Sequence, residues 1–258
     1  MSCVSKACNR RDIAHSIQKY VGALSSPIDS FLEQRILDSD FYEISHLAAP
    51  AGYYAVNSDH CLTQFYLDPP YIAESQEIFN NVIRHHHVQS MLVPTCDELF
   101  LSLALDLEVK IEKQAYFFQD AKTNIPADKL YPHGEFKAAV GRDAANIATM
   151  CQDFIGKVEE RIENGELFTF TQGGVLLGIG IVERNKLLDG YGSLGMFTNP
   201  SHRNQGIGRT IIHHLKAWCY DHNLVPVCGC SYDNAPSKQT LESAGMASKT
   251  RLLNINIL

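Results

Sequence analysis

The chain has 258 residues, of which 45% are hydrophobic and 20% charged, a balance typical of a globular protein with room for one large domain or two of ordinary size. Its formal net charge of −7 argues against a general electrostatic hold on nucleic acid or on an anionic membrane, because both require clustered Lys and Arg. No apolar run reaches the length of a membrane span and the polar start lacks the apolar core of a secretory signal, so we expect a cytoplasmic protein.

The first half predicts helices and strands in alternation, after a start around Cys3 and Cys8 that we expect to be a loose terminus. Apolar residues recur at helical spacing over 27–39, which indicates an amphipathic helix. Further along, the pattern predicts strands over 52–56 and 61–67, a helix over 73–85, a short strand over 91–93, a helix over 97–105 and a strand over 109–118.

Prolines, a glycine and polar residues punctuate residues 120–134, so we place a domain boundary there, with one α/β domain over 1–125 and a second over 126–258. The second half predicts helices over 142–153 and 156–164, a hairpin of strands 167–171 and 175–182, a strand over 191–198, a helix over 207–220, a strand over 224–230, a short helix over 237–243 and a final strand over 251–257. Lys216 is expected outside the apolar face of the helix over 207–220. Such interleaving indicates an α/β or α+β structure with helices covering a sheet.

The most informative segment joins the strand over 191–198 to the helix over 207–220 and contains a glycine-bearing turn. At the start of a helix the first backbone N–H groups have no partner within the helix, and with the helix dipole they form a site for an anion. Gly206 and Gly208 have no side chains, so a pyrophosphate can come close to those N–H groups, and Arg203 adds a positive charge. The plain alternative is that both glycines only ease a tight turn from strand to helix.

Two better-known phosphate loops do not fit this turn, because Gly208 is not followed by Lys and then Ser or Thr, and no third glycine completes a dinucleotide-binding fingerprint. The sequence RNQGIG over 203–208 resembles instead the (Q/R)xxGxG/A motif of the GNAT acetyltransferase superfamily, with a strand and Pro200 before it at the usual distance. The resemblance covers about the last 120 residues and includes 234–246, which is similar to the family's N...GF element. It implies a mixed central sheet flanked by helices.

The resemblance implies acetyl-CoA as the acyl donor. We expect no metal site, because Cys228 and Cys230 have no second pair at zinc spacing and are more simply read as core packing. Backbone groups of Met196 and Thr198 would pair with the pantetheine arm of the cofactor, with Phe197 facing the other way because side chains alternate along a strand. The turn would hold the pyrophosphate. Asn234 and Lys238 would reach the cofactor's outer half, with a turn asparagine and a solvated lysine as the plain alternatives. The residues assigned to the cofactor in this way are Met196, Phe197, Thr198, Arg203, Asn204, Gln205, Gly206, Ile207, Gly208, Arg209, Asn234 and Lys238.

Direct transfer is the mechanism that the resemblance implies: a neutral primary amine attacks the thioester within a ternary complex, and no acyl-enzyme forms. Glu183, at the end of the strand over 175–182, is the candidate base, and a solvated strand-end carboxylate is its plain alternative. Many members of the family have a tyrosine that acts as the general acid four positions before the glycine that corresponds to Gly245, and here that position is Leu241. Tyr232 is therefore the candidate acid, with a packing or rim position as the alternative.

The leading hypothesis is thus an N-acetyltransferase that acts on a primary amine. The acceptor, a small molecule or a peptide, is left open, and so is a homodimer; nucleic acid and membrane are not expected as partners. The alternative is a non-catalytic acyl-CoA-binding sensor or scaffold, which the missing tyrosine favours. A nucleotide-phosphate binder is a weaker third reading.

The first half contains a similar order of strand, proline, helix and strand, and we interpret it as a degenerate GNAT-like domain. Glu74 and Glu77 fall where the anion-binding turn would be, and their charge would repel a pyrophosphate. We therefore expect a domain that does not bind CoA and that shapes an acceptor pocket or an interface.

Overall fold

A computed structural model describes residues 3–47 and 49–258. The strands are β1 (Cys3–Cys8), β2 (Asp40–His46), β3 (Ala49–Val56), β4 (Cys61–Leu67), β5 (Ser90–Pro94), β6 (Val109–Asp120), β7 (Glu135–Ala138), β8 (Leu167–Gln172), β9 (Val175–Arg184), β10 (Tyr191–Thr198), β11 (Val225–Ser231) and β12 (Met246–Ile257). The helices are α1 (Ala14–Ala23), α2 (Ser30–Leu37), α3 (Ser75–His85), α4 (Glu98–Leu105), α5 (Ala144–Cys151), α6 (Val158–Glu163), α7 (Ile207–Asp221) and α8 (Ala235–Ser243). No helix within these described ranges is long and apolar enough to span a membrane.

The twelve strands found among the described residues lie in one mixed sheet, in the order β1-β2-β3-β4-β5-β12-β6-β11-β10-β9-β8-β7. From either edge inward, five consecutive strands of one half of the chain are followed by a strand from the other half. β12 pairs with β5, and β6 pairs with β11. The two exchanged strands also pair with each other in antiparallel, from Met246 opposite Asp120 to Ile257 opposite Val109. Each half therefore completes its sheet with the last strand of the other.

The helices cover both faces of the sheet, and the alternation of strand side chains distributes the core between them. In the first half, Tyr53 packs with α1 and α2, whereas its neighbour Tyr54 packs with α3 and α4. In the second half, Leu167 packs with α5 and α6, whereas Phe168 packs with α7 and α8. The mixed, helix-covered sheet expected from the sequence is thus confirmed.

Helix α2 belongs to the first half but packs against β11 of the second. It is held there by Glu33, a buried side chain whose Oε1 accepts hydrogen bonds from the backbone N–H groups of Lys186 and Leu187, at 2.8 and 2.7 Å. These amides lie in the loop between β9 and β10. A buried carboxylate that accepts two amides forms a strong, directional contact, so α2 has a fixed position relative to β9 and β10.

Four elements were missed by the sequence patterns, namely β1, α1, β2 and β7. The expectation of a loose terminus at Cys3 and Cys8 is wrong, because both residues lie in β1, which pairs in antiparallel with β2. Helix α1 contains aromatic, β-branched and glycine residues that are weak helix formers, and the burial of Ile17 and Tyr20 against the sheet stabilises it. These elements are stabilised by tertiary contacts, which a local sequence pattern does not record.

Lys216 is also placed differently from the sequence prediction, because it is buried and its side chain forms an ion pair with Asp120, at the end of the exchanged strand β6. Its Nζ lies 2.7 Å from Asp120 Oδ1 and donates to the carbonyl oxygen of Ala244 at 3.2 Å. Burial acts to raise the pKa of Asp120, but hydrogen bonds from Lys216 and Tyr220 hold it below its usual value. The pair joins the end of the exchanged strand β6 to α7.

Candidate active site

A fork opens in the sheet between β10 and β11. The two strands pair in parallel only from Tyr191, opposite Val225, to Ser193, opposite Val227. Beyond this point the pairing ends, although β10 stays bonded to β9 as far as Thr198 and β11 stays bonded to β6. The facing edges of both strands therefore carry backbone groups that a bound chain can pair with, as in the addition of a strand.

Helix α7 begins at the mouth of this fork with Gly206 as its N-cap, in a left-handed conformation with φ +83° that favours glycine. The backbone N–H groups of residues 206–209 donate to no acceptor within the described part of the chain. Free amides at the start of a 15-residue helix form an anion-binding site.

The turn requires glycine at its two glycine positions for different structural reasons. A Cβ on Gly208 would lie 2.9 Å from Thr240 Cγ2 and 3.2 Å from Thr198 Oγ1, so α7 can approach β10 and α8 only because this residue has no side chain. A Cβ on Gly206 would approach the Nη2 of Arg209 to 3.0 Å, which is the end of a flexible side chain. The left-handed backbone conformation therefore favours glycine at position 206, and close packing against β10 and α8 requires glycine at position 208.

The side chains of β10 alternate across the sheet near this turn. Met196 and Thr198 lie beside Gly208. Phe197 packs on the other face, where its ring centre is 4.9 Å from that of Phe154, and the guanidinium of Arg203 lies 5.7 Å from it.

The side chains of the remaining residues of the turn differ in their hydrogen bonding and in their exposure to solvent. Arg209 donates a hydrogen bond to the carbonyl oxygen of Lys129 and so attaches the segment between the two halves to α7. Asn204, Gln205 and Arg203 are exposed, and Asn204 has a left-handed backbone with φ +62°. Arg203 is thus the exposed cation of the turn.

Asn234 and Lys238 lie at the start of α8, the helix that follows β11. Asn234 is the N-cap of α8, with its Oδ1 accepting from the N–H of Ser237 at 3.1 Å. Lys238 forms an ion pair with Glu242 at 2.6 Å. Both side chains are solvent-accessible, and their contact with a cofactor stays a prediction.

Two cavities meet at the fork from opposite faces of the sheet, and they share Leu194 and Gly195 of β10 and Gly229, Cys230 and Ser231 of β11. One, of about 220 Å³, lies on the side of α7 and α8 and is also lined by Met196, Ile212, Asn234 and Leu241. The other, of about 380 Å³, lies on the side of α2 and is also lined by Asp29, Gln114, Glu183 and Ser193. A thioester in the fork would be accessible from this second cavity.

The two residues predicted to be catalytic lie in different surroundings. Glu183 lines the larger cavity, and its carboxylate forms an ion pair with Arg161, which also binds Glu166 at 3.0 Å. Tyr232 lines neither cavity; its ring stacks on Tyr116 with centres 4.7 Å apart. The catalytic roles of Glu183 and Tyr232 stay predictions.

Asp29 is the site residue that sequence reasoning missed. It is the N-cap of α2, only 6% exposed, with Oδ1 accepting from the N–H of Leu32 at 3.0 Å. Its Oδ2 faces β11 so closely that a Cβ on Gly229 would lie 1.9 Å from it. Burial raises the pKa of Asp29 to about 6, against the effect of the amides at the helix start. An aspartate before an amphipathic run signals an N-cap, but nothing local places it in the other half's cavity.

The first half contains a corresponding fork, because β4 and β5 pair in parallel only at Cys61 and Leu62. Side chains of the protein fill it: Gln64, on the diverging part of β4, is fully buried and lies beside Tyr20 and Tyr53. The helix that follows, α3, has Glu74 as its N-cap and Glu77 in its first turn, where α7 has glycines.

Asp97 lies beside Tyr20 at this filled fork and is the N-cap of α4, with Oδ1 accepting from the N–H of Phe100 at 3.0 Å. Burial raises the pKa of Asp97 to about 7, so the folded protein disfavours its charged form, a penalty that is absent below about pH 4 and complete above about pH 7. Asparagine caps a helix as well as aspartate does. We therefore expect Asp97→Asn to raise the melting temperature by several degrees at pH 8 and to leave it unchanged at pH 4. An equal gain at both pH values in thermal unfolding would show that the buried charge is not the cause.

Comparison with known proteins places both halves in one family. Residues 9–121 match the profile described as acetyltransferase (GNAT) domain, and residues 142–246 match that of the acetyltransferase (GNAT) family. The chain therefore belongs to the GNAT acetyltransferases and consists of two tandem GNAT domains. A search of curated proteins finds no match.

Solved structures share the whole architecture at low sequence identity. An acetyltransferase of the GNAT family from Colwellia psychrerythraea is 20% identical and superposes over 99% of this chain and 100% of that one, with a TM-score of 0.88. A GCN5-related N-acetyltransferase from Sphaerobacter thermophilus is 12% identical over 99% and 95% of the chains, with a TM-score of 0.68. A tandem GNAT protein from the clavulanic acid biosynthesis pathway is 10% identical over 99% and 98%, with a TM-score of 0.65. At these identities the likeness shows the fold alone.

Proposed function

We propose that the second GNAT domain transfers an acetyl group from acetyl-CoA to a primary amine by direct attack in a ternary complex. The observation that carries the proposal is the fork between β10 and β11, which has an anion-binding helix start at one end and a carboxylate-lined cavity across the sheet. GNAT proteins generally bind acetyl-CoA. The first domain, whose fork is filled by its own side chains, would not bind it.

The residues of the second domain fit this cofactor. Its pyrophosphate would be held by the free amides of 206–209 and by Arg203, and its pantetheine arm by the open backbone edge around Met196 and Thr198. Asn234 and Lys238 are proposed for its outer half. When bound, acetyl-CoA supplies the thioester whose C–S bond breaks as the new C–N bond forms.

The protein has to remove a proton from the ammonium form of the acceptor, since an aliphatic amine with a pKa near ~10 is charged at neutral pH. The larger cavity offers carboxylates for this task, among them Glu183, the candidate from the sequence. On the cofactor side, the buried Leu241 leaves an apolar wall, and Tyr232 is offset from the cavity. A thiol has a pKa near ~8.5, so the departing thiolate can take its proton from the amine or from water without a tyrosine.

Leu241 also favours a second candidate function, an acyl-CoA sensor or scaffold without turnover. Titration calorimetry with acetyl-CoA, followed by an assay of thiol release with a set of primary amines, separates the two. We expect micromolar binding of acetyl-CoA together with thiol release. Binding without release for every amine would favour the sensor, and tighter binding of ATP than of CoA would favour a nucleotide-phosphate binder.

A further inference from the structure

Asp29 brings a carboxylate of the first domain into the active site of the second. Its Oδ2 faces the backbone of Gly229, which lines both cavities at the fork. A group held at this point is next to the thioester position and is reached from the acceptor side. Asp29 also lines the larger cavity, so an acceptor that enters there meets its carboxylate.

The position of Asp29 is fixed by two contacts on the same helix. Oδ1 accepts from the N–H of Leu32 at the start of α2, which leaves Oδ2 on the side of β11. One turn further on, Glu33 ties α2 to the amides of the β9–β10 loop. Glu33 is therefore a positioning residue, and α2 cannot withdraw Asp29 without breaking both of its amide contacts.

The charge of Asp29 has no counterion in the described part of the chain, whereas Glu183 is paired with Arg161. The titratable groups that face it are Glu33 on its own helix, Cys228 and Cys230 on β11, and Glu183 across the cavity, and none of these can be a cation. A buried carboxylate without a counterion is costly even when amides bind it, so a cation that enters the cavity gains a strong interaction. Its raised pKa of about 6 also suits a base that works near neutral pH.

The surrounding charges restrict the kind of acceptor. Arg161 is shared by Glu166 and Glu183, so these three side chains keep one net negative charge, and Asp29 adds another. An ammonium group is attracted to such a wall, whereas a carboxylate next to the amine is repelled. The cavity, at about 380 Å³, is near the lower end of the range for ligand sites.

We infer that Asp29 of the first domain binds and deprotonates the acceptor amine in the second domain, and that the acceptor is a small primary amine with no carboxylate beside the nitrogen. This inference rests on the proposed acetyl transfer. The ammonium gives one proton to Asp29, the neutral nitrogen forms the C–N bond as the C–S bond breaks, its second proton goes to the thiolate, and Asp29 releases its proton to water.

Matched pairs of amines and their parent amino acids test the acceptor class on the unmodified protein. Tyramine and tyrosine, histamine and histidine, and cadaverine and lysine differ in each pair only by the α-carboxylate. We expect kcat/KM for the amines to exceed that for the amino acids at least tenfold. Equal values would overturn the inferred acceptor class while leaving acetyl transfer intact, and no thiol release with any compound would overturn the proposed function and this inference together.

Asp29→Asn tests the residue, because asparagine keeps the helix cap and the size of the side chain but cannot take a proton. We expect kcat to fall at least a hundredfold and the Kd for acetyl-CoA, measured by calorimetry, to change less than threefold. Asp97→Asn is the matched control, since it alters a buried N-cap of the same geometry that lines neither cavity, and it should keep full activity. If Asp29→Asn retains kcat within threefold of the unmodified protein, Asp29 is not the base.

Discussion

Gly206→Glu is expected to raise the Kd for acetyl-CoA at least a hundredfold, which corresponds to a loss of about 3 kcal/mol of binding free energy. The new carboxylate would lie among the free amides at the start of α7 and next to the guanidinium of Arg209, where the pyrophosphate is proposed to bind. It would occupy the anion site with the protein's own negative charge. Titration calorimetry measures the change directly.

The fold should survive this substitution, because the contact that the new Cβ makes is with the end of a flexible side chain. The left-handed backbone at φ +83° adds strain of about 1 kcal/mol for a residue other than glycine. Gly174→Glu is the matched control: it has φ +81°, lies in the turn between β8 and β9, and has nothing within 4 Å of a Cβ. If both variants bind acetyl-CoA equally well, the anion site is not at the start of α7.

Lys216→Met is expected to lower the free energy of unfolding by about 4 kcal/mol at neutral pH, because it leaves the carboxylate of Asp120 buried without its cation. The side chain of Asp120 is only 3% exposed, so water cannot replace the lost partner. Since its folded-state pKa is lowered, the stability that the pair provides is present above about pH 4 and is lost as the pH falls below that. Urea unfolding should therefore show a large difference in the free energy of unfolding between Lys216→Met and the unmodified protein at pH 7, and a small difference at low pH.

Two further variants distinguish the effect of leaving Asp120 buried without its cation from the effect of removing any lysine. Lys157→Met removes one partner of an exposed ion pair with Glu160 and should change the stability very little. The double variant Lys216→Met with Asp120→Leu replaces both charges by apolar groups and should recover most of the loss. If the double variant is as unstable as Lys216→Met alone, the buried charge is not the reason.

The anion-binding turn could be predicted from the sequence because every part of it is local. A strand, a turn with Gly206 and Gly208, and an amphipathic helix follow one another within about thirty residues, and the bounds of strand 191–198 agree with β10. The hydrogen bonds that matter there belong to the backbone of the turn itself. Helix periodicity and turn chemistry therefore carry enough information.

Asp29 and Lys216 could not be placed in this way, because their surroundings come from distant parts of the chain. Asp29 contacts Gly229, 200 positions later, and Lys216 pairs with Asp120 on an exchanged strand. The polarity of Lys216 predicted a position on the surface, but the side chain is buried, and its ion pair with Asp120 offsets the cost of burying the charge. Local patterns identify a capping aspartate or a polar position on a helix, but only the tertiary fold shows what lies opposite.

The exchange of β6 and β12 constrains the order in which the protein can fold during its synthesis. β12, at residues 246–257, is made after the other described strands, and until then β5 lacks the neighbour that it has on its inner side in the folded sheet. The first domain therefore leaves the exit tunnel with an open sheet edge, although all of its helices and its first five strands already exist. Folding as separate units, the common course for two-domain chains, is not available here. Closure of the first domain's sheet therefore has to wait until β12 has been made and has emerged.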